Sequence, residues 1–305
     1  MTQPTPIRGV LPVVQTLFDE TGAIDTTAMV GELNWILDQG VAGLTTGMVS
    51  EILRLTEGER RELSEVVVGV ARDRGAMSVV SAGAESTRTA VAHARHAESI
   101  GADAIMAIPP ISVALDDTET FEYFAAIADA TSIGLVVQDA SGYVGRPLSI
   151  DVQVELFERY RDRIYFKPEA APIGPRLSEL RDATGGEARA FEGSGGAALI
   201  DSYRRGIVGT MPGAEVCWGI QRMWRAVTEG DWSVAYAISG PLNAMVSLQT
   251  SIDTYVAIEK HLLVRQGVIT SGAARRPLSF MIDDETRAEV DRLFDQLKLV
   301  ALELA

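Results

Sequence analysis

Eight short apolar runs alternate with amphipathic stretches over more than two hundred residues, and few folds accommodate that alternation. The runs are "GVLPVVQTLF" from Gly9, "AGLTTGMV" from Ala42, "MSVVSAGA" from Met77, "AIMAIPP" from Ala104, "IGLVVQDA" from Ile133, "RIYFKPEA" from Arg163, "ARAFEGSGG" from Ala188 and "GIVGTMPG" from Gly206. Helical patterns separate them: Thr26 to Gln39, Glu57 to Arg74, Ser86 to Ile100, Thr118 to Thr131, Ser149 to Tyr160, Ile173 to Thr184 and Ala197 to Arg204. Thr56 and Glu59 have capping-box spacing, and Gly40 and Gly101 stand just past two helix ends.

Strands separated by helices must pair in parallel through right-handed crossovers, and nearly continuous apolar strands are covered on both faces. Eight such units predict an α/β fold, a (β/α)8 TIM barrel, over residues 1–215. Residues 216–305 read as the eighth barrel helix, starting near Val216, and a C-terminal helical region with a loop from Ile269. No GxGxxG follows the first strand, which weighs against a dinucleotide-binding sheet.

Composition narrows the function. A formal net charge of −15 disfavours a nucleic-acid partner, since phosphates would be repelled. A single cysteine, Cys217, excludes an intramolecular disulfide framework, and His93, His96 and His261 offer little for a zinc site. His93 and His96 fall on a helix outside the barrel and read as a solvated or interface face. Cys217, Trp218 and Trp224 read as core or subunit contact. "MTQPTPIRG" lacks a signal-peptide pattern and no run is long enough to span a membrane, so a cytoplasmic protein is expected.

Catalytic residues of such barrels stand at the C-terminal ends of strands. In "IYFKPEA", Lys167 and Glu169 are two apart, on one strand face and roughly 6.5–7 Å apart along the chain. Lys167 follows Ile164, Tyr165 and Phe166, and desolvation there favours the neutral amine that a nucleophile requires. Glu169 beside it can accept a proton from carbon. The same pair can equally be a structural ion pair closing the barrel. "VVQDASG" brings Gln138 and Asp139 to the fifth strand end, where Gln138 can orient a hydroxyl or water but carries no proton well. "GMVSE", "EGSGG" and "GTMPG" are small-residue turns whose amides can hold an anion or simply connect elements tightly.

With these residues in place, the chain resembles the dihydrodipicolinate synthase and N-acetylneuraminate lyase family of class I aldolases and dehydratases over nearly its whole length. "VVQDASG", "YFKPEAAPIGPRLSEL", "FEGSGG", "GTMPG" and "MVSE" look most like its L-2-keto-3-deoxyarabonate dehydratase branch. The usual G-[ST]-T-G-E turn is matched by "GMVSE" when Glu51 and "LRLTEGER" set the register; a rival register uses the literal "TTG" of Thr45 to Gly47. The fifth-strand Tyr-Asn is replaced by Gln138 and Asp139, and Ile111 and Ser112 stand where an aromatic pair is common.

The resemblance implies that Lys167 forms a Schiff base with a 2-oxo acid and Glu169 removes the C3 proton. Gln138 would place the departing hydroxyl, and Asp139 would support the loop or contact the substrate tail. Amides around Val49 and Ser50, with the Ser50 hydroxyl, would hold the carboxylate, and Gly193 and Met211 would contact substrate. The implied reaction is dehydration of a 2-keto-3-deoxy sugar acid, 2-keto-3-deoxy-L-arabonate giving 2-oxoglutarate semialdehyde, without a metal or dissociable cofactor. A retro-aldol lyase or a synthase handling pyruvate, and a non-catalytic sugar-acid-binding barrel, are the alternatives. Family members are usually homo-oligomers, often tetramers.

Overall fold

The computed structural model describes residues 6–303; Met1 to Thr5, part of the stretch read for a targeting signal, lie outside them. Among the described residues eight parallel strands occur where the apolar runs stand: β1 (Gly9–Val10), β2 (Gly43–Thr45), β3 (Met77–Ser81), β4 (Ala104–Ala107), β5 (Gly134–Asp139), β6 (Ile164–Pro168), β7 (Phe191–Glu192) and β8 (Gly209–Thr210). They form two arcs, β2-β3-β4-β5-β6 and β1-β8-β7. Isolated parallel bridges Val13↔Thr45 and Phe166↔Ala190 join the arcs, so bonding continues around the ring of a TIM barrel. The first run gives a strand shorter than its apolar length because Pro12 has no amide to donate.

Helices α1 (Thr26–Asp38), α2 (Glu57–Asp73), α3 (Thr87–Ile100), α4 (Asp117–Asp129), α5 (Ile150–Tyr160), α6 (Ile173–Ala183), α7 (Leu199–Arg204) and α8 (Cys217–Glu229) surround the ring. Asp25, Thr56, Ser86, Asp116 and Ser149 cap the first five N-termini through their side chains, which fixes where each loop hands over to helix. Three more helices follow: α9 (Trp232–Val246), α10 (Ile252–Arg265) and α11 (Asp284–Glu303). No helix among the described residues is long and apolar enough to cross a membrane.

Strand alternation sorts the core into two layers. Ile105 and Ala107, Leu135 and Val137, and Ile164 and Phe166 face the helices, in a cluster that also takes in Ile220, Ile238, Leu262 and Phe294 of the C-terminal helices. Val13, Met106, Val136, Tyr165, Phe191 and Met211 fill the barrel interior. His93 belongs to the covered side of α3 instead of a solvated face, and burial together with Arg60 pushes its imidazole down to about 4. Among the described residues no cluster of His, Cys, Asp and Glu has the arrangement of a metal site.

Candidate active site

The same alternation selects the side chains that reach the mouth. Val136 on β5 and Tyr165 on β6 point into the barrel, so Gln138 and Lys167, two residues on, do so as well. These two strands are paired with Gln138 opposite Lys167. Asp139 has the opposite parity. Its carboxylate accepts from the amides of Ser141 (3.1 Å) and Leu148 (3.0 Å) and stands 3.8 Å from Arg176, so it fastens the loop leaving β5.

Lys167 Nζ donates to Glu169 Oε1 at 2.7 Å, and both side chains are almost fully buried. Gln138 Nε2 lies 3.2 and 3.0 Å from the two Glu169 oxygens, so one amide group grips the whole carboxylate. Burial pushes the Glu169 carboxyl above the ordinary range and Asp139 adds to this, while Lys167 and Gln138 oppose it. The result is a carboxylate held in place yet more basic than one in water.

Three lysines occur in the chain. Lys298 is exposed on α11. Lys260 is fully buried, but its ammonium donates to Thr16 O (2.8 Å), Glu51 Oε1 (2.6 Å) and Ala273 O (2.6 Å), which uses all three of its hydrogens. Only Lys167 lines the cavity at the mouth, a space of about 410 Å³.

That cavity is bounded by Gln138, Lys167 and Glu169, by Gly193 and Met211 from the turns after β7 and β8, and by Met48 and Val49. Gly193 is there because nothing larger fits. A Cβ would stand 2.6 Å from Glu169 Oε1 and 2.9 Å from Lys167 Cε. Its neighbour Glu192 points away, accepting from the Ser194 amide (2.6 Å), the Gly196 amide (3.2 Å) and the Thr210 hydroxyl (2.5 Å), and so ties the β7 turn to β8.

After β2 the chain makes a 3-10 turn over Met48–Ser50. Gly47, Met48 and Val49 line the cavity, and Thr45 and Thr46 are not among its lining residues. Ser50 departs from its expected place. It is fully buried, its hydroxyl donates to Val14 O (2.5 Å) and accepts from Gly47 N (3.1 Å), and its amide donates to Gly47 O (3.0 Å). Ser50 therefore braces the turn from behind and leaves the Met48 and Val49 side of it to the cavity.

Sequence reasoning missed a second set of lining residues. The fifth strand carries no tyrosine, but Tyr143 in the loop after it reaches the cavity and meets Tyr255 of α10, with hydroxyls 3.4 Å apart and ring planes at 89°. Burial pushes both phenols up, Tyr255 to about 12. Ile252 and Glu259 of α10 line the same space. Ile252, Tyr255 and Glu259 have helical spacing and so share one face of α10. A search confined to strand ends omits that face.

Behind the cavity lies a group of buried polar side chains. Gln15 Nε2 donates to Glu259 Oε2, and the Gln15 amide donates to Glu32 Oε1 at 3.1 Å. Glu259 and Glu215 meet at Gly213, where a Cβ would encounter a carboxyl oxygen of each. Burial is the main force lifting all three carboxyls, Glu32 to about 8 and Glu215 to about 7, with Glu259 raised further by the other two.

The fold and site define a (β/α)8 barrel that presents Lys167 and the carboxyl groups of Glu169 and Glu259 to a pocket at the C-terminal ends of its strands. The chain belongs to the dihydrodipicolinate synthetase family, whose model matches residues 6–297, and is a lyase of that family. It is 29% identical over 289 residues to the L-2-keto-3-deoxyarabonate dehydratase of Azospirillum brasilense, covering 93% of this chain and 92% of that one. It is 28% identical over 253 residues to the 4-hydroxy-tetrahydrodipicolinate synthase of Bartonella quintana (strain Toulouse), covering 80% of this chain and 84% of the other. The fold is shared with the Ruminococcus gnavus sialic acid aldolase, with a TM-score of 0.87 at 22% identity over 98% of this chain and 99% of that one.

Proposed function

We propose that the chain is a Schiff-base dehydratase for a 2-keto-3-deoxy sugar acid, with 2-keto-3-deoxy-L-arabonate as substrate and 2-oxoglutarate semialdehyde as product. The observation that carries this reading is the buried Lys167, Glu169 and Gln138 array. Likeness to a dehydratase over nearly the full length adds support.

In the reaction, the substrate carboxylate lies against the amides of Met48 and Val49, which have no acceptor among the described residues. Glu169 takes a proton from the Lys167 ammonium, the free amine attacks C2, and Glu169 returns that proton to the carbinolamine hydroxyl, which leaves as water to give an iminium. The iminium withdraws electrons from C3, and Glu169 removes the C3 proton to give an enamine. The enamine expels the C4 hydroxyl as water. Gln138 keeps Glu169 oriented through these steps, and Gly193 and Met211 bound the space for the sugar tail. Asp139 acts through the loop it holds.

A retro-aldol lyase would use the same lysine but needs a base for the C4 hydroxyl proton. Burial lifts both cavity phenols, which favours their neutral form over the phenolate that such a base would require.

We also propose a cytoplasmic homo-oligomer, a tetramer as the family resemblance implies. Exposed Ile111 and Val113 in the loop after β4 supply apolar surface for a subunit contact.

Product analysis after incubation with 2-keto-3-deoxy-L-arabonate tests the function. Semialdehyde formation is expected. Pyruvate in its place would make the protein an aldolase.

A further inference from the structure

The dehydratase reading leaves one group without a named source: the proton that lets a poor leaving group, hydroxide, depart as water. Glu169 is engaged by Lys167 and Gln138, and once it has returned the Lys167 proton to the departing C2 oxygen it is protonated again only after it has taken the C3 proton. A separate acid placed elsewhere in the cavity would allow C3 to lose its proton and C4 its hydroxyl without one group serving both.

Glu259 has that placement. It comes from α10 and lies beside Gly213, beyond β8, whereas Glu169 projects from the end of β6, so the two carboxyls reach the cavity from different parts of the ring. Its Oε2 accepts from Gln15, and its Oε1 has no hydrogen-bond partner among the described residues. The amide thus fixes the carboxyl by one oxygen and leaves the other to carry a proton toward the cavity.

The surroundings favour the neutral acid. Glu215, from the segment before α8, meets Glu259 at Gly213, and Glu32 of α1 is linked to it through Gln15. Two carboxylates this close, away from water, do not both ionise. The nearby cations are committed: Lys260 to Glu51 and backbone carbonyls, Lys167 to Glu169. Tyr255 shares the Glu259 face of α10, and its own phenol is protonated.

We propose that Glu259 is the catalytic acid that protonates the departing C4 hydroxyl, while Glu169 removes the C3 proton. This rests on the dehydratase reading. The enamine electron pair forms the C3–C4 double bond, the C4–O bond breaks, and its electrons take the Glu259 proton, releasing water. In a substrate with a C5 hydroxyl, the Glu259 carboxylate then removes a C5 proton and Glu169 returns its proton to C3. The resulting enol becomes the aldehyde, hydrolysis of the iminium frees Lys167, and both carboxyls end as they began.

Glu259→Gln keeps the size of the side chain and an oxygen for Gln15. In the full chain it is expected to retain borohydride-trappable imine with pyruvate and C3 hydrogen exchange into deuterium, while dehydration of 2-keto-3-deoxy-L-arabonate falls about 100-fold or more. The 4-deoxy-4-fluoro analogue expels fluoride, which needs no such proton, and should be turned over by the variant within about tenfold of wild type. Should the variant not fold, the wild-type protein carries the test: the alkaline fall in rate should be present with the 4-hydroxy substrate and absent with the 4-fluoro one. Normal dehydration by Glu259→Gln, equal loss with both leaving groups, or identical alkaline limbs would overturn the assignment of Glu259 alone. A wild-type protein that yields pyruvate and no semialdehyde would overturn the dehydratase reading, and this inference with it.

Discussion

Lys260 of α10 and Glu51 of the β2 turn form a fully buried ion pair, 2.6 Å between Nζ and Oε1, joining residues 209 positions apart. Glu51 has a left-handed backbone (φ 58°), an unusual state for a side-chain-bearing residue. Its second oxygen accepts from the Arg275 amide. The C-terminal region thereby clamps the turn that places Met48 and Val49 in the cavity. Lys260→Met leaves Glu51 buried without its cation and is expected to lower stability by about 3–5 kcal/mol. It should also raise KM for the 2-oxo acid more than it lowers kcat. Denaturant unfolding and steady-state kinetics on one preparation check both effects.

Gly193→Ala tests how tightly the chemistry is packed. The new methyl would stand 2.6 Å from Glu169 Oε1, so the carboxylate or the turn after β7 must shift. Turnover should drop by at least about 100-fold, the scale expected when a reacting group is misplaced by about 1 Å. The stability cost should stay within about 1–3 kcal/mol. A variant with near-normal kcat would show that the β7 turn yields easily.

Gln138→Leu removes both hydrogen bonds from the amide to Glu169 while preserving bulk. The freed carboxylate loses its orientation, and C3 proton exchange should slow about 10- to 100-fold. Imine formation with pyruvate should persist, since Lys167 keeps its place on β6. Deuterium incorporation measured beside borohydride trapping separates the two steps.

Much of this arrangement is legible in the sequence, and what is missed has a common cause. Eight β-rich runs separated by amphipathic stretches specify the ring, and the strand ends deliver Lys167, Glu169 and Gln138. Period-two alternation from Val136 and Tyr165 further separates Gln138, which faces the pocket, from Asp139, which faces away. Ser50 is different, because a 3-10 turn has no alternation from which to read its direction. Tyr255 and Glu259 share a helix face, yet their spacing does not say that α10 covers the barrel mouth. That depends on tertiary anchors such as Lys260 with Glu51.

The buried carboxyls make stability depend on pH. Glu32, ordinarily near 4.5, is lifted to about 8 in the folded chain, mainly by burial. Between those values the unfolded chain has released the proton and the folded chain retains it. Folding then takes up a proton, so the stabilising contribution is complete below about pH 4.5 and is lost as pH rises toward 8. Glu215, lifted to about 7, acts in the same direction. Glu32→Gln should therefore melt above wild type at pH 8, by roughly 2 °C per kcal/mol gained, with the gap narrowing toward pH 5. A gap that widens toward acid would refute the neutral-carboxyl account.

The central claim is that Lys167 is the nucleophile, and it is tested most directly by intact mass after incubation with 2-keto-3-deoxy-L-arabonate and borohydride. Wild-type protein should gain one adduct, localised to Lys167 by peptide mapping. Lys167→Ala should gain none and turn over no substrate, although it remains folded. An adduct on Lys260 or Lys298, or an active Lys167→Ala protein, would contradict the account.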